Sequence, residues 1–321
     1  MYMRNATITP IFEGTNQQRK WARVSMNSSV PPPQGLAGRP RIRFVDVFGH
    51  RVRVAIWSGP EGATPLLMLN GICARIELIA PLAEAVAEGR EVVSFEFPGA
   101  GESAPPRLPY TMSMAAAFTA RLLRTLGYTT VDVLGVSWGG TLAQQFTLQH
   151  RRRCRKLVLA ATFAGIPAIP GSPRTLRELC TPRRFNDPAH RRQIAGNLYG
   201  GKVRGGGRLV DDLEHRYGRA SHIGYLFQQL ALTGWSSQPC LWRLRQPTLI
   251  MAGDDDPIIP LINARWMATL IPHAILHVVR DGHLFFLTDT TQTSRVISAF
   301  LDGRPHPLDG GPVPGSAFQH P

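Results

Sequence analysis

Cysteine is scarce in this chain, and long apolar runs are missing. The four cysteines among 321 residues show no C-x-x-C spacing, so the sequence predicts neither a zinc site nor a disulfide framework, and we expect reduced thiols. No apolar run is long enough to span a bilayer. Charged residues such as Arg4, Glu13 and Arg19 interrupt the first residues, which therefore lack the apolar core of a secretory signal. These absences predict a cytoplasmic protein without a transmembrane segment.

Acidic residues are also few. The chain has 22 aspartates and glutamates against 36 lysines and arginines, which leaves a formal charge of +14. Most of this charge is arginine spread along the chain, with one run at Arg151-Arg152-Arg153 and Arg155-Lys156, where cations suit a helix end and a solvated surface. Because no basic stripe is interleaved with aromatic residues, the sequence does not favour nucleic-acid binding. The charge would allow attraction to an anionic lipid or polymer granule surface.

A short apolar hairpin begins the regular part of the chain, and helices and strands alternate after it. We predict the hairpin at residues 42–47 and 52–57, around the turn Phe48-Gly49-His50. Further strands are predicted at residues 66–69, 91–95, 131–136, 157–161, 247–252 and 274–279, and helices at 76–88, 114–126, 140–150 and 293–301. Short apolar strands that alternate with helices indicate an α/β fold, with a mostly parallel central sheet and helices on both faces.

The alternation is interrupted once, by about eighty residues rich in arginine, glycine and proline, which is too long for a structureless loop. We therefore expect a core formed by residues 41–163 and 247–301, with an inserted helical cap at residues 164–246. Residues 1–40 include three consecutive prolines and many polar residues, and we expect a flexible extension there. Residues 302–321 are expected to form a flexible tail. The sequence does not indicate an oligomeric state.

The segment Gly135-Val136-Ser137-Trp138-Gly139 places a serine between two glycines, where a predicted strand gives way to a helix. This pattern in this context is typical of a nucleophile elbow, a tight turn that strains the serine backbone and exposes its hydroxyl. Small residues are needed two positions before and after the serine, because bulk does not fit there. We therefore predict Ser137 as a catalytic nucleophile.

A serine hydroxyl needs a neighbouring base, and the sequence offers a histidine and carboxylates after two later strands. Asp254, Asp255 and Asp256 follow the strand at 247–252, and His283 follows the strand at 274–279. Serine, then acid, then histidine is the chain order of the α/β-hydrolase fold. We assign His283 as the base. We assign Asp256 as the acid, because the residue directly before the proline is the usual acid of this loop type, while Asp254 and Asp255 remain alternatives.

Two backbone amides are candidates for stabilising the negative charge that develops on the substrate oxygen. The N–H of Trp138 lies at the start of the helix after the elbow, where the helix dipole favours an anion. The second donor is expected in the loop after the strand at 66–69, where Asn70-Gly71-Ile72 points to the N–H of Ile72. We predict an oxyanion hole formed by these two amides. This chemistry needs no metal and no organic cofactor.

Several segments together resemble one enzyme family. They are LLMLNGICARIEL (66–78), FEFPGAGES (95–103), GVSWGGTLAQQF (135–146), KLVLAAT (156–162), AGDDDPIIPLIN (252–263) and DGHLFF (281–286). From about residue 44 to residue 301 the chain is similar to the intracellular poly(3-hydroxyalkanoate) depolymerases of bacteria that store medium-chain-length polyester. The resemblance implies an α/β-hydrolase fold with a cap, and hydrolysis of stored polyester by Ser137, Asp256 and His283. It also implies association with storage granules. The family tends to have Gly-Ala-Asn where this chain has Cys73-Ala74-Arg75, and a bulkier residue there would narrow the acyl pocket.

Other functions remain open. A general carboxylesterase or lipase would use the same three residues on small or lipid esters. A non-catalytic granule-associated protein would keep the fold but would be free to lose one of the three, and all are present. A polyester synthase is disfavoured because such enzymes carry a cysteine in place of Ser137. Apolar residues of the cap would line an acyl channel or form the cap's own core; they are Leu198, Tyr199, Tyr225, Leu226, Phe227 and Trp235.

Overall fold

The computed structural model describes residues 38–181, 187–217 and 221–304, and within them eight strands form one sheet. The strands are β1 (Arg41–Val47), β2 (His50–Trp57), β3 (Leu66–Leu69), β4 (Val92–Phe95), β5 (Val131–Val136), β6 (Cys154–Ala160), β7 (Thr248–Gly253) and β8 (Ala274–Val279). Their order is β1-β2-β4-β3-β5-β6-β7-β8. The β1–β2 and β2–β4 pairs are antiparallel, and every pair from β4 to β8 is parallel. The prediction of a mostly parallel sheet is confirmed.

Helices cover both faces of this sheet. The helices of the described residues are α1 (Ile76–Ala87), α2 (Met112–Thr125), α3 (Trp138–Gln149), α4 (Pro173–Cys180), α5 (Pro188–Tyr199), α6 (Arg208–Tyr217), α7 (His222–Leu232), α8 (Leu261–Leu270), α9 (Phe285–Thr288) and α10 (Thr290–Asp302). Alternate strand residues divide the core into two apolar clusters, since successive side chains of a strand point to opposite faces. One cluster includes α2, α3 and α8, and the other includes α1, α9 and α10.

Most predicted elements agree with the structure, and the differences have local causes. The strands predicted at 66–69, 131–136 and 274–279 have those bounds, and the predicted hairpin turn has positive φ at Phe48 and Gly49. Helix α8 was not predicted. Its apolar residues lie on both sides, since Ala264 and Met267 are buried while Ile262 and Trp266 are exposed, so its sequence lacks a clear helical period.

The basic run after α3 is partly solvated as predicted: Arg151, Arg152 and Arg155 are exposed, whereas Arg153 and Lys156 are half-buried. Arg153 donates hydrogen bonds to the carbonyl oxygens of Ala120 and Thr129. Arg155 pairs with the buried carboxylate of Asp132, and Lys156 Nζ donates to the carbonyl oxygen of Phe300 at 2.7 Å. Arg153 therefore bonds to α2, Arg155 joins β6 to β5, and Lys156 bonds to the end of α10. Periodicity could not reveal them, because their partners are distant in sequence.

The residues between β6 and β7 form helices α4 to α7. We refer to residues 164–246 as the inserted segment. Its α7 contacts the loop after β3, and the chain after α5 contacts the loops after β7 and β8. The predicted extension and tail lie almost wholly outside the described residues. No helix in the described ranges is long and apolar enough to cross a membrane.

Candidate active site

Ser137 sits in the sharp turn between β5 and α3. Its backbone has φ 53° and ψ −119°, a conformation that L residues rarely adopt. Two hydrogen bonds hold the turn, because Ser137 N–H donates to Ala160 O at 3.0 Å and the Thr162 hydroxyl donates to Ser137 O at 2.7 Å. The strained elbow expected from the sequence is therefore present in the backbone.

The two glycines of the elbow allow backbones to approach closely. A β-carbon added at Gly135 would lie 2.3 Å from the carbonyl oxygen of Gly139, and one added at Gly139 would lie 2.1 Å from the carbonyl oxygen of Leu69. Both distances are shorter than any van der Waals contact. The start of α3 therefore packs directly on the end of β3, and this contact brings the Asn70–Ile72 loop beside Ser137.

Asp256 and His283 form a buried pair. Asp256 Oδ2 lies 2.7 Å from His283 Nδ1, and the two side chains are 1% and 6% exposed. The other oxygen of the carboxylate accepts the N–H groups of Ile258 and Ile259, both at 2.9 Å. Hydrogen bonds to both oxygens stabilise a carboxylate that has lost its water. The backbone N–H of His283 donates to Tyr199 O at 2.7 Å, which fixes the loop that carries the imidazole.

The neighbouring aspartates have other partners. Asp255 points outward, with 49% of its side chain exposed, and accepts two hydrogen bonds of 2.8 Å from the Arg204 guanidinium and one from Gly201 N–H. The bond to Arg204 lowers the pKa of the Asp255 carboxyl. Asp254 is exposed, and its N–H donates to Val279 O. Of the three candidates, Asp256 is the one that the structure brings to His283.

Two cavities meet at Ser137. A cavity of about 70 Å³ is lined by Ser137, His283 and Ile72, together with Tyr199 and Leu284. A larger one, of about 500 Å³, is lined by Ser137 and Ile72 and by mostly apolar residues of the inserted segment and the loop after β7. The residues of these two parts include Ile166, Ile169, Leu176, Leu179, Tyr225, Leu232, Ile258 and Ile259, and Trp138 and Phe163 complete the apolar lining. Ser137 therefore borders two cavities of unequal volume.

The two segments that carry the candidate oxyanion donors, Ile72 and Trp138, lie close together. A β-carbon at Gly71, the residue before Ile72, would be 3.8 Å from the β-carbon of Ser137, which directly precedes Trp138. The Asn70 side chain donates to Arg75 O at 2.7 Å, and Ala74 N–H donates to Gly71 O, so the loop is a closed turn. Within the described ranges, the amides of Ile72 and Trp138 have no hydrogen-bond acceptor. Both amides are therefore available to a substrate oxygen.

Four of the six apolar residues singled out in the inserted segment have one of the two predicted roles, whereas the prediction is wrong for the exposed Leu226, and the half-buried Phe227 lines neither cavity at Ser137. Tyr225 lines the large cavity and Tyr199 the small one. Leu198 and Trp235 are buried in the interior, and the Trp235 indole N–H donates to Gln145 at 2.7 Å. Sequence reasoning missed Gln228, Gln229 and the lining residues 166–171. Their positions depend on contacts between distant parts of the chain, and no local pattern marks them. Among the residues described, no cluster of histidine, cysteine and acidic side chains could hold a metal ion.

Comparison with known proteins agrees with this architecture. Residues 64–290 match the family described as the alpha/beta hydrolase fold. A poly(3-hydroxyalkanoate) depolymerase from Ectopseudomonas oleovorans is 43% identical over 276 residues, which cover 84% of this chain and 98% of that protein.

Solved structures share the fold at low sequence identity. A hydrolase from Pseudomonas aeruginosa PA01 has a TM-score of 0.70 at 21% identity and covers 81% of this chain and 98% of its own. An esterase from Exiguobacterium antarcticum has a TM-score of 0.70 at 21% identity, with the same coverage. At this identity the likeness supports the fold alone.

The three aspartates can be told apart by substitution. Asp256→Asn should lower kcat for an ester substrate by about 10³- to 10⁴-fold, because the imidazole loses the carboxylate that orients it and stabilises its charged form. Asp255→Asn should lower kcat less than about tenfold, because it weakens an exposed ion pair and keeps an oxygen that can accept the Gly201 N–H. Steady-state kinetics on both variants checks this. A larger loss in Asp255→Asn would move the acid to Asp255.

Proposed function

The chain belongs to the α/β-hydrolase family and, within it, to the poly(3-hydroxyalkanoate) depolymerases, and on this premise we propose that it hydrolyses ester bonds of stored medium-chain-length poly(3-hydroxyalkanoate). The proposed catalytic residues are Ser137, Asp256 and His283. The observation that carries the proposal is the buried 2.7 Å contact between Asp256 and His283, whose imidazole lines a cavity with Ser137.

The first half of the reaction acylates the serine. The Asp256 carboxylate holds a proton on His283 Nδ1, which leaves Nε2 free to accept the proton of the Ser137 hydroxyl. The serine oxygen attacks the ester carbonyl, and the amides of Trp138 and Ile72 stabilise the oxyanion that forms. His283 then returns the proton to the departing oxygen. A hydroxyl-terminated chain or monomer leaves, and Ser137 carries the acyl group.

The second half uses water. The cavity of about 70 Å³ beside His283 has room for several water molecules. With His283 again acting as the base, one of them attacks the acyl-enzyme and releases a 3-hydroxy acid or an oligomer. The larger cavity is apolar and within the range of small-molecule pockets, about 300–1,000 Å³, which suits an aliphatic side chain. In this proposal the inserted segment acts as a cap that covers the acyl group.

The role of the nucleophile has a direct test. Ser137→Ala should lower hydrolysis of medium-chain polyester by about 10⁴-fold or more, because the covalent route is removed. The wild-type protein, but not this variant, should react with a fluorophosphonate probe. Release of 3-hydroxy acids and mass spectrometry of the labelled protein measure the two effects. Turnover that survives the substitution would exclude Ser137 as the nucleophile.

A general carboxylesterase is the second candidate function, because the same residues would cleave small esters. The large apolar cavity favours a long acyl group over a short one. We therefore expect kcat/KM to rise from acetyl to octanoyl esters of one alcohol, and we expect release of 3-hydroxy acids from medium-chain polyester. Hydrolysis of short soluble esters with no release from polyester would favour the general esterase.

We further propose that the mouth of the large cavity adsorbs to the polyester surface of storage granules. Ile166, Ile169 and Leu176 line this cavity and are exposed. Helix α8 adds two more exposed apolar residues one turn apart, Ile262 and Trp266. These five residues form what we call the apolar rim. Asn263 joins its two parts, because its side chain accepts from Ile169 N–H and donates to Ile169 O. Burial of the rim against polymer would align the cavity with a chain leaving the granule.

The rim is testable with a matched control. Ile262→Gln combined with Trp266→Gln should reduce sedimentation with polyester granules and polyester hydrolysis several-fold, because less apolar area is buried on adsorption. Hydrolysis of a soluble octanoyl ester should change less than twofold. Ile275→Gln is the control, since Ile275 is 50% exposed against 47% for Ile262. Ile275 lies at the start of β8, at the opposite end of the strand from the loop that carries His283. Equal granule binding by all three proteins would contradict the proposal.

A further inference from the structure

A buried glutamine of the inserted segment contacts both halves of the candidate oxyanion hole. Gln228, on α7, is 1% exposed. Its side-chain oxygen accepts the backbone N–H of Cys73 at 2.7 Å, and its backbone oxygen accepts the indole N–H of Trp138 at 3.0 Å. Cys73 directly follows Ile72 in the chain, and Trp138 is itself the other donor. Gln228 therefore accepts one hydrogen bond from Cys73, the residue after the donor Ile72, and one from the side chain of the donor Trp138.

The loop that Gln228 holds has an unfavourable backbone. Cys73 has φ 50°, in the left-handed region that residues with a β-carbon seldom occupy. Such a conformation persists only where surrounding contacts hold it. The hydrogen bond from Cys73 N–H to Gln228 fixes the peptide plane between Ile72 and Cys73. Loss of that acceptor removes this hydrogen bond, and the turn would then relax toward another conformation.

We propose that Gln228 is a positioning residue whose side chain aligns the amide of Ile72 for the oxyanion, while its backbone oxygen holds the Trp138 indole. This inference rests on the proposed ester hydrolysis at Ser137. Gln228 does not line the cavities of about 70 and 500 Å³ at Ser137, so the effect of its side chain passes through Cys73. Because an oxyanion hole acts on the transition state, misalignment lowers kcat and leaves binding of the ground-state ester nearly unchanged.

The test compares Gln228→Met and Gln228→Asn with the wild-type protein on a soluble octanoyl ester. Methionine keeps the shape without the amide oxygen, and asparagine keeps the amide but is too short to reach Cys73. Both should lower kcat by about tenfold or more, with KM within twofold, since loss of a whole donor lowers kcat by about 10²–10³. The inhibition constant of a trifluoromethyl ketone, which forms a tetrahedral adduct with the serine, should rise by a similar factor.

Gln246→Met is the control for a loss of stability alone. Gln246 is also buried and donates one side-chain hydrogen bond, to Arg151 O at 2.9 Å. It lies just before β7, at the opposite end of that strand from the loop that carries Asp256. Its substitution should lower the melting temperature and leave kcat unchanged. If the control loses kcat as strongly as the Gln228 variants, or if both Gln228 variants keep kcat and the inhibition constant within twofold, the proposal is overturned.

The outcome for Gln228 is separable from the outcome for the proposed function. A wild-type protein that neither hydrolyses esters nor reacts with a fluorophosphonate would refute hydrolysis at Ser137, and the inference about Gln228 would fall with it. A wild-type protein that does both, together with unaffected Gln228 variants, would refute the positioning role alone. If Gln228→Met does not fold, Gln228→Asn decides between these results.

Discussion

The site depends on one close approach of two backbones, where the first turn of α3 meets the end of β3. Glycine at position 139 makes that approach sterically possible, since a side chain there would overlap the carbonyl of Leu69. Parallel pairing of β3 with β5 then keeps the following loops at the same edge of the sheet. Because β7 and β8 end at this edge too, loops that directly follow these strands carry the Asp256–His283 pair to the cavity that Ser137 lines.

The sequence was informative wherever structure follows from local order. The positions of the eight strands, the bounds of three of them, the hairpin turn, the elbow and the histidine loop depend on neighbours in the chain, and they could be predicted. The choice of Asp256 over Asp255 also agrees with the geometry, but its physical reason involves Arg204, which is 51 residues away from Asp255. Gln228 lies 155 residues from its partner Cys73. A single sequence contains no signal for such contacts, because they arise only when the inserted segment packs on the core.

The two cavities at Ser137 differ in volume and lining, and the proposed reaction gives them different roles. The larger one offers apolar walls to a bulky aliphatic group, whereas the smaller one lies beside the imidazole that activates water in the proposed reaction. The two cavities share Ile72, Ser137, Leu179 and Ile258 in their walls, so they adjoin each other at the candidate nucleophile. In the proposed mode of granule binding, the apolar rim would extend the larger volume to the surface, and a substrate embedded in a solid phase would meet one continuous apolar path.

The inserted segment forms hydrogen bonds with the loops of the candidate site in two separate places. Gln228 holds the loop after β3, while Tyr199 and Gly201 hold the loops after β8 and β7. These hydrogen bonds couple the inserted segment to the loops that carry the candidate site residues. A movement of the segment wide enough to break them would also release those loops. In the proposed function, substrate entry and ester cleavage would therefore require two different conformations, with cleavage only in the closed one.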